Sequence, residues 1–423
     1  MHDAAPRLPT FRRSLTQAAL AMLAATALGI AACGGGGGGD GDDQFGNDGG
    51  PLETSEAPST VGSTTVLGAS LNAPWGLAFL PNGSMLVSEK GGTIALVDSA
   101  GGLVRRLAGV PAVDATGQGG LLDIAYTAGH VYFAYSEPGT GGTRGTALAR
   151  ATLDNVNSPT TLQNLQVLWQ QTPKNSSAVH HGARIAFAAE GTVFIAVGER
   201  GVESNDGSAH PNGVQNVANS LGKVLRLNPD GSVPPDNPSF GAGAVPGLYS
   251  TGHRNPQGAA VRPGSNELWI TEHGPQGGDE LNRVVAGGNY GWPVKSYGCP
   301  YNGQPGTTCR IGGGTHAPTY REPAAIWVPT SVAPSGLLFY TGSAFPQWQG
   351  DLFAGALAGT SLWRIEVDSD GGAVSRQEIQ AVKDLHVRIR DVRQGPDGKI
   401  YLLTNHPSSG PVANGDRIVR LDP

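Results

Sequence analysis

A short hairpin decides the fold, and its clearest copy is Arg184-Ile-Ala-Phe-Ala188, Glu190-Gly191 and Thr192-Val-Phe-Ile-Ala-Val197. Two short apolar runs flank a turn dipeptide that ends in glycine. Short apolar runs bounded by Gly, Pro, Asn or Asp are typical of β-strands, because helices need longer segments with a 3.6-residue period. The segment therefore predicts a tight antiparallel β-hairpin.

The same unit recurs along the chain. Copies lie at 76–88 and 258–271, and a further turn and second strand lie at 397–404. Repeated hairpins without helical periodicity indicate an all-β protein, and four-stranded antiparallel blades around a channel form a β-propeller. At about 15 residues per strand and turn, residues 64–423 hold about 24 strands, which predicts a six-bladed β-propeller. A pair of β-sandwiches is the alternative architecture, although it accounts less well for the repeated hairpin.

The first 32 residues are predicted to be a lipoprotein signal peptide. Arg7, Arg12 and Arg13 precede an apolar run at 18–28 that is too short to span a bilayer. Small residues then lead directly to Cys33, in a pattern that resembles a bacterial lipobox, so cleavage would leave Cys33 as a lipidated N-terminus. An ordinary signal peptide with an incidental cysteine is the alternative, and the two adjacent arginines also fit twin-arginine export.

Residues 33–63 are predicted to be a flexible tether. Six glycines follow Cys33, and the stretch beyond them is rich in Gly, Asp and Ser, with little to bury. Residues 64–423 contain no second linker of similar length and are expected to form one domain. We therefore predict an exported bacterial lipoprotein, held to the membrane (the outer membrane is expected) only by its N-terminal lipid and facing the periplasm or the cell surface.

The composition argues against a nucleic-acid partner. The net charge is −6 and the 28 basic residues form no stripe. Apart from Cys33, the only cysteines are Cys299 and Cys309. In an oxidising compartment, an isolated pair ten residues apart and flanked by Gly and Pro predicts a local disulfide, with two free thiols as the alternative.

Two loops carry residues suited to binding or proton transfer. The first, 117–122, holds Gln118 in a glycine-rich turn that lacks the Lys-Ser/Thr pair and helix of a phosphate loop. In the second, His180 and His181 lie just before a strand, where an imidazole can take a proton near neutral pH. Adjacent residues on extended backbone rarely point the same way, which disfavours a shared metal, and a pair of surface histidines is the alternative.

Three further segments are dense in polar groups. Arg254 and Asn255 lie directly before a strand, where buried polar groups need partners such as a ligand. The carboxylates among the glycines of 272–280 suit a hard cation such as calcium, or else form a solvated acidic loop. Arg388 and Arg390 lie on one face of a strand, which indicates either an anion between them or an exposed edge strand.

Taken in order, these segments resemble the family of soluble glucose dehydrogenases and aldose sugar dehydrogenases that use pyrroloquinoline quinone (PQQ). The resemblance covers essentially the whole domain, and the fold of that family is the six-bladed propeller. The matching motifs are Gly117-Gln-Gly-Gly-Leu-Leu122, His180 with Arg184, Gly222-Lys-Val-Leu-Arg-Leu227, Pro234-Pro-Asp-Asn-Pro238, Gly252-His-Arg-Asn-Pro-Gln-Gly258, Glu272-His-Gly-Pro275, Asp279-Glu-Leu-Asn282, Gly287-Gly-Asn-Tyr-Gly-Trp-Pro293, Ala333-Pro-Ser-Gly336 and Arg388-Ile-Arg-Asp391. Each motif alone is weak, whereas the ordered set is specific.

The resemblance implies that the protein oxidises aldose sugars at C1 to lactones and passes electrons to a periplasmic acceptor. PQQ is a flat ortho-quinone with three carboxylates, so its site needs cations and hydrogen-bond donors. His180 matches the base that takes the proton of the C1 hydroxyl, and Arg254 would stabilise the developing oxyanion. The cofactor-binding residues implied by the match are Gln118, Arg254, Asn255, Trp327, Arg388 and Arg390.

The resemblance also implies calcium. Carbonyl oxygens of Gly274 and Pro275 would hold one calcium ion against the quinone, where the ion would act as a Lewis acid. Glu280 and Tyr290 match the positions of a second, more structural calcium ion.

Two positions depart from the family. Ala358 occupies the place of a cofactor-binding lysine, so one cation of the PQQ site is missing. Val179 replaces the acidic residue that precedes the histidine in the glucose dehydrogenases, and with the short loops after Gly198 and around Tyr301 it favours the aldose sugar dehydrogenase branch. The alternative functions are a non-catalytic surface propeller that binds glycan or protein, and a calcium-dependent lactonase, which would need several carboxylate and Asn side chains around one ion.

Overall fold

Twenty-four strands provide almost all the regular structure of the computed structural model, which describes residues 61–406 and 415–423. Within these residues the strands form six four-stranded antiparallel sheets. The sheets surround a central channel as the blades of a β-propeller. The predicted six-bladed, all-β fold is therefore confirmed, and the β-sandwich alternative is wrong.

The strands follow the chain from blade to blade. The first strand, β1 (Ser63–Val66), belongs to the last blade. Blade 1 contains β2 (Pro74–Phe79), β3 (Met85–Glu89), β4 (Thr93–Val97) and β5 (Leu103–Arg106). Blade 2 contains β6 (Leu121–Thr127), β7 (His130–Pro138), β8 (Arg144–Leu153) and β9 (Leu162–Gln170). Blade 3 contains β10 (Gly182–Phe187), β11 (Val193–Val197), β12 (Lys223–Leu227) and β13 (Leu248–Thr251).

The second half of the chain repeats this order. Blade 4 contains β14 (Pro256–Val261), β15 (Leu268–Glu272), β16 (Asp279–Val284) and β17 (Ala325–Trp327). Blade 5 contains β18 (Pro334–Phe339), β19 (Leu352–Ala356), β20 (Ser361–Val367) and β21 (Ala373–Glu378). A single α-helical turn, α1 (Gln380–Lys383), precedes blade 6, which contains β22 (Ile389–Gln394), β23 (Ile400–Thr404) and β24 (Ile418–Asp422) together with β1. Short 3₁₀ turns lie at Thr140–Gly142 and Pro346–Trp348.

The ring is closed by the pairing of the first strand with the last. β1 pairs with β24 in an antiparallel register that places Ser63 opposite Asp422 and Val66 opposite Val419. This pairing joins the first and last described strands within one blade, so the ring cannot open without breaking a sheet. The predicted signal peptide (1–32) and almost all of the predicted tether (33–63) lie outside the described residues.

The hydrophobic core is divided among the interfaces between blades. Each of six buried clusters is formed mainly by two neighbouring blades; the cluster between blades 5 and 6, for example, includes Phe353, Leu362, Ile389 and Leu402. Because both faces of most blades pack against a neighbour, many strands are buried along their whole length, as in the five buried residues of β11. Among the described residues, no helix has the length and the apolar composition needed to cross a membrane.

The innermost strands β2, β6, β10, β14, β18 and β22 line the channel and run in the same direction. We call the end at which they begin the upper end, and the end at which they finish the lower end. The lower end opens into a cavity of about 410 Å³ lined largely by apolar side chains of these strands, including Phe79, Tyr126, Phe187 and Phe339. The upper end carries the loops that precede these strands, and with them the polar motifs of the sequence.

A layer of paired charges separates the two ends. Arg184, which is fully buried, contacts Asp391 at 2.9 Å and Asp123 at 3.2 Å, and Arg393 contacts Asp123 at 3.0 Å. These four side chains form the central ion-pair layer. Gly336 lies against it, and a Cβ atom there would come within 2.4 Å of the Asp391 carboxylate, so only glycine fits.

Candidate active site

The upper end of the channel gathers most of the residues that the sequence singled out. Hydrogen bonds and electrostatic interactions link them into one group of neighbours: Gln118, His180, Arg254, Asn255, Gly274, Arg388 and Arg390. They come from segments distant in sequence, because each of the loops involved precedes or joins a different strand at this end. Residues that are distant in sequence are therefore neighbours in the folded protein.

The backbone of His180 is fixed in an uncommon conformation. Its φ of 49° places it in the left-handed region, which is uncommon for a residue with a Cβ atom and occurs often at functional sites. Its backbone N–H donates to the Oε1 atom of Gln118 at 2.8 Å, and the Gln118 N–H donates to the Ala178 carbonyl at 2.7 Å. Gly198 approaches so closely that a Cβ atom there would lie 2.1 Å from the His180 carbonyl oxygen.

The imidazole of His180 is oriented by a carboxylate that the sequence analysis missed. Its Nδ1 atom hydrogen-bonds to Glu199, which is 2 % exposed and also accepts the backbone N–H groups of Val202 and Glu203. A carboxylate bound at Nδ1 fixes the proton on that nitrogen and leaves Nε2 free to accept one. This is the arrangement that a general base requires.

The charges around His180 favour its neutral form. Burial lowers the pKa of His180, the Glu199 carboxylate acts to raise it, and the positive charges of Arg254 and Arg200 lower it further, so the net pKa is below its usual value. For Glu199, burial acts to raise the pKa, but the hydrogen bond and charge of His180 and the Glu203 amide outweigh it, and the pKa is lowered. Near neutral pH the pair is therefore a neutral imidazole beside an ionised carboxylate.

His181 points away from His180 and has a structural role. It is buried, and its Nε2 atom accepts a hydrogen bond from the Arg200 guanidinium at 3.1 Å. Burial and then the charges of Arg200 and Arg144 lower its pKa to about 2, so it stays neutral. The two imidazoles therefore contact different partners, Glu199 and Arg200, and are not arranged to bind one metal ion together.

Arg254 is held on three sides at the mouth of the site. Its Nη1 atom donates to the carbonyl oxygens of His273 and Gly274 at 3.1 and 2.7 Å, and its Nη2 atom donates to the Tyr301 hydroxyl at 2.9 Å. The ring of Trp292 lies 5.1 Å from the guanidinium carbon, within the range of a cation–π contact. Its Nε atom is buried and has no hydrogen-bond partner among the described residues.

Arg388 and Arg390 lie together at the start of β22. Arg390 donates to the Gln257 side chain at 2.9 Å, and Gln257 in turn donates to Asn255 at 3.1 Å. Burial, followed by the charges of Arg184 and Arg388, lowers the pKa of Arg390 to about 9. Burial also lowers the pKa of Arg388. Two partly buried arginines side by side, one of which lowers the pKa of the other, favour an anion at this point.

His273 completes this group and was quoted within a motif but assigned no role. Its Nε2 atom donates to the Pro334 carbonyl at 2.8 Å, and its backbone N–H donates to the Asn255 carbonyl at 3.2 Å. Burial and the charges of Arg390 and Arg254 lower its pKa to about 3, so it is a neutral imidazole. The Glu-His-Gly-Pro motif thus contributes a neutral side chain beside three cations.

The residues at the upper end fit a flat, carboxylate-rich cofactor. The Nε atoms of Arg254, Arg388 and Arg390 are all buried, and none has a hydrogen-bond partner among the described residues. Buried guanidinium groups normally bind carboxylates, and unpaired donors are costly. Three such donors in one place match the three carboxylates of PQQ better than they match a neutral ligand.

A small cavity beside Arg254 fits the second predicted cation. It has a volume of about 10 Å³, enough for one water-sized particle, and is lined by Glu272, Glu280 and Tyr290 among others. Asn282 donates to both carboxylates, at 2.8 and 3.1 Å. Burial and the Glu272 charge raise the pKa of Glu280, which is the response of a carboxylate that lacks a nearby cation.

Two other groups predicted to bind calcium already make hydrogen bonds within the fold. The Tyr290 hydroxyl donates to the Arg283 carbonyl and accepts the Val285 N–H, so it is engaged within the fold. The Gly274 carbonyl, predicted for the first calcium ion with Pro275, accepts the Arg254 guanidinium at 2.7 Å. A cation could bind there only after Arg254 moved. Among the described residues, no group of three or more His, Cys, Asp and Glu side chains could hold a metal ion.

Trp327 lies apart from the predicted cofactor site. It is 2 % exposed on the outermost strand of blade 4, in the core between blades 4 and 5, where its ring packs against Trp363 and the Arg376 guanidinium. The motif match identified the correct segment, but the contacts of the indole are those of an interblade core residue. The structure therefore gives no support to Trp327 as a cofactor-binding residue.

Ala358 contributes no charge to the upper end. It is exposed in the turn between β19 and β20, at the upper end, and its backbone N–H donates to the Val332 carbonyl at 3.0 Å. A lysine does contact this turn: the Lys383 Nζ atom donates to the Gly359 carbonyl at 2.8 Å. Its ion pair with Glu378 at 3.0 Å, however, neutralises that charge.

The predicted disulfide is confirmed. Cys299 and Cys309 are bonded and close a loop that contains Tyr301, the residue that contacts Arg254.

The site therefore combines a carboxylate-supported imidazole, three cations with unpaired donors and a neighbouring cavity for a cation. This arrangement can abstract a proton from a hydroxyl group beside a bound anionic cofactor.

The comparison with protein families agrees with this chemistry. The family model of glucose/sorbosone dehydrogenases matches residues 71–413. The aldose sugar dehydrogenase YliI of Escherichia coli (strain K12) is 39 % identical over 361 residues, covering 83 % of this chain and 92 % of that protein.

Solved structures give the same result. The apo form of the soluble aldose sugar dehydrogenase from Escherichia coli has a TM-score of 0.74 at 36 % identity, covering 85 % of this chain and 99 % of that one. The PQQ-bound form of aldose sugar dehydrogenase from Streptomyces coelicolor has a TM-score of 0.67 at 30 % identity, covering 86 % of this chain and 99 % of that one. The similarity therefore includes the sequence as well as the fold.

Proposed function

Because this chain belongs to the glucose/sorbosone dehydrogenase family, we propose that it oxidises aldose sugars at C1 to lactones, with PQQ and calcium as cofactors and His180 as the general base. It is an oxidoreductase of CH–OH groups that uses PQQ. The observation that carries the proposal is the oriented His180–Glu199 pair at the same end of the channel as three arginines whose buried Nε atoms have no hydrogen-bond partner in the described part of the chain.

His180 takes the proton of the C1 hydroxyl at its Nε2 atom. Glu199 holds the Nδ1 proton and stabilises the positive charge that develops on the ring. The lowered pKa of His180 keeps the ring neutral at physiological pH, because burial disfavours the charged form. Deprotonation of the hydroxyl prepares C1 to lose a hydride, and the sugar leaves as the lactone.

The three arginines and their neutral neighbours hold the cofactor. Arg388 and Arg390 bind carboxylate groups, and Gln118 and Asn255 offer neutral hydrogen bonds at the edge of the same space. PQQ, when bound, supplies an ortho-quinone that accepts the hydride from C1 and later releases two electrons to a periplasmic acceptor. Arg254 stabilises the negative charge that develops on oxygen during the transfer.

Calcium has two proposed places. Glu280 and Glu272 form a buried pair of carboxylates beside a cavity of one-ion size, and a cation bound there would offset the repulsion between them. The carbonyl oxygens of Gly274 and Pro275 are the proposed ligands of the catalytic calcium ion, which when bound adds Lewis-acid polarisation. That binding requires Arg254 to release the Gly274 oxygen.

The test is reconstitution of the cofactor-free protein. PQQ and calcium together are expected to produce dye-linked oxidation of aldoses, and His180→Ala is expected to lower kcat by about 10³-fold or more, because the general base is lost. The matched control is Val374→Ala, which trims an exposed side chain on the outermost strand of blade 5. No turnover of any aldose after PQQ has bound, detected by its absorbance change, would refute the proposal.

We also propose that the chain is exported and anchored through a lipid on Cys33. The leader and the adjacent tether support this, as does the disulfide, which is typical of an oxidising compartment. The strand directions place Ser63 at the lower end, opposite the candidate active site. Labelling with a radioactive fatty acid should mark the native chain and not the Cys33→Ala variant; equal labelling of both would contradict the anchor.

A further inference from the structure

Tyr301 is an unusual residue at the mouth of the site. It is 60 % exposed, more than any other Phe, Trp or Tyr side chain among the described residues. Val179, which precedes His180, is also exposed, at 38 %. Each of the two polar residues of the proposed reaction, Arg254 and His180, thus has an exposed apolar side chain beside it.

Tyr301 contacts Arg254 on its solvent side. The tyrosine hydroxyl accepts the Nη2 donor at 2.9 Å, and its ring centre lies 5.9 Å from the guanidinium carbon. The indole of Trp292 lies 5.1 Å from the same carbon, and unlike Tyr301 it is buried. Of the two rings beside the proposed oxyanion-stabilising group, Tyr301 is therefore the one whose surface a ligand can contact.

The loop that carries Tyr301 is fixed to the floor of the site. Cys299 and Cys309 close it covalently. At its base, the Cys299 N–H donates to the Gln276 carbonyl at 3.0 Å, and the Gln276 N–H donates to the Cys299 carbonyl at 3.2 Å. Gln276 lies two residues after Gly274, whose carbonyl binds Arg254. The disulfide loop and Arg254 are therefore anchored to the same short segment.

We propose that Tyr301 is a substrate-positioning residue that binds the C–H face of an aldopyranose ring. This inference rests on the proposed function, because it places the C1 hydroxyl at His180. The rings of aldopyranoses expose a patch of C–H groups, and an aromatic ring offers a large rigid surface for such a patch at a small cost in conformational entropy. Arg254 keeps its hydrogen bond to the His273 carbonyl without Tyr301, so loss of the tyrosine should affect sugar binding and not the chemical step.

The first test separates binding of the sugar from the chemical step. Tyr301→Ala is expected to raise KM for an aldopyranose by about tenfold, which corresponds to about 1.4 kcal/mol, with kcat within about twofold of the unaltered enzyme. Tyr301→Phe keeps the ring and is expected to recover most of this loss. The affinity for PQQ, measured by absorbance titration, should be unchanged in both variants.

The second test does not depend on turnover. A 1,5-anhydroalditol has the pyranose ring but lacks the C1 hydroxyl, so it binds without reacting, and its inhibition constant should rise in Tyr301→Ala in parallel with KM. The double variant Cys299→Ser/Cys309→Ser keeps Tyr301 but frees its loop, and KM should rise there too. Val374→Ala, remote from the site, serves as the control.

The outcomes distinguish the two proposals. If the unaltered enzyme turns over aldoses while Tyr301→Ala leaves KM and the inhibition constant unchanged, the positioning role is wrong and the proposed function stands. A fall in kcat alone, or a loss of PQQ affinity, would also overturn the positioning role. If the unaltered enzyme shows no turnover although PQQ binds, the proposed function fails first.

Discussion

Two sets of arginines in the same channel differ in their partners. In the central ion-pair layer, Arg184 contacts two buried carboxylates and two backbone carbonyls, so its guanidinium is fully engaged. At the upper end, Arg388 and Arg390 have no ion pair among the described residues, and the Nε atom of each is buried without a hydrogen-bond partner. Arg184 and Arg390 even share one neighbour, the ring of Trp75, at 4.1 and 5.5 Å.

The difference separates a structural charge from a binding charge. A buried cation with its carboxylates in place contributes to the fold, and removal of one partner is strongly destabilising. A partly buried cation without a partner contributes little to the fold and is retained where a ligand supplies the anion. The partners of each arginine, rather than its burial alone, therefore indicate its role.

The largest effect on stability is expected for Arg184, the arginine that has carboxylate partners. Arg184→Met leaves Asp123 and Asp391 buried with fewer cations, and the free energy of unfolding should fall by about 3–5 kcal/mol. Urea unfolding followed by circular dichroism measures this. Adding Asp391→Asn should restore part of the loss, since one uncompensated charge is then removed. Full stability in Arg184→Met would mean that the layer is not a structural element.

Arg390→Met, in contrast, should weaken PQQ binding without lowering the stability of the fold. Its loss removes a charge-assisted hydrogen bond to the cofactor, so the dissociation constant for PQQ should rise by about 10–150-fold, equivalent to about 1.5–3 kcal/mol. Unfolding in urea should be unchanged or slightly more difficult, because like-charge repulsion with Arg184 and Arg388 is relieved. Arg150→Met, at a half-buried arginine of blade 2, is the control. A large loss of stability in Arg390→Met would contradict the distinction between the two sets.

Glu199→Gln tests whether the charge of its carboxylate partner sets the reactivity of His180, the proposed base. Glutamine can still accept the Nδ1 proton of His180 but carries no charge, so kcat should fall by about 10–100-fold. Because the Glu199 carboxylate raises the pKa of His180, its removal should move the acidic limb of the pH–rate profile to lower pH. Glu190→Gln, at the turn of the same hairpin and paired with Arg226, is the matched control. An acidic limb that stays in place, or moves to higher pH, would show that Glu199 does not act on His180.

The smallest effect is expected where a charge is added. Ala358→Lys places a cation in an exposed turn at the upper end, and a further partner for the PQQ carboxylates should tighten binding by about tenfold. Absorbance titration of the cofactor-free protein measures this, and the thermal midpoint without PQQ should stay the same. If the added lysine leaves the affinity unchanged, the turn does not face the cofactor.

The hairpin pattern was sufficient to predict the blades but not the closure of the ring. Each hairpin joins residues close in sequence, so its turn dipeptide and its apolar runs mark it directly. The pairing of β1 with β24 joins residues more than 350 positions apart, as in the hydrogen bond between Thr65 and Asp422, and no local pattern records it. The ring of six was predicted by counting strands, whereas its closure was found only in the structure.

Glu199 shows the same limit within the site. His180 and Glu199 lie on opposite sides of one hairpin, nearly equidistant from its turn at Glu190-Gly191, and the strand register brings Gly182 opposite Val197. Counting outward from the turn could have found this pair. The resemblance pointed to His180 but carried no information about the position opposite it. Trp327 shows a related limit, since a motif match locates a residue on the chain but not the direction of its side chain.

By itself, the sequence determined the all-β propeller, the disulfide and most of the polar residues at the upper end, because turn chemistry, alternation and short spacings are local properties. Only the tertiary structure decided which charges have partners. Arg184 and Arg390 are indistinguishable as letters in the sequence, and their roles differ because strands from separate blades bring Asp123 and Asp391 to one guanidinium and not to the other. Pairing of charges across the channel depends on contacts between distant parts of the chain, and those exist only once the ring is closed.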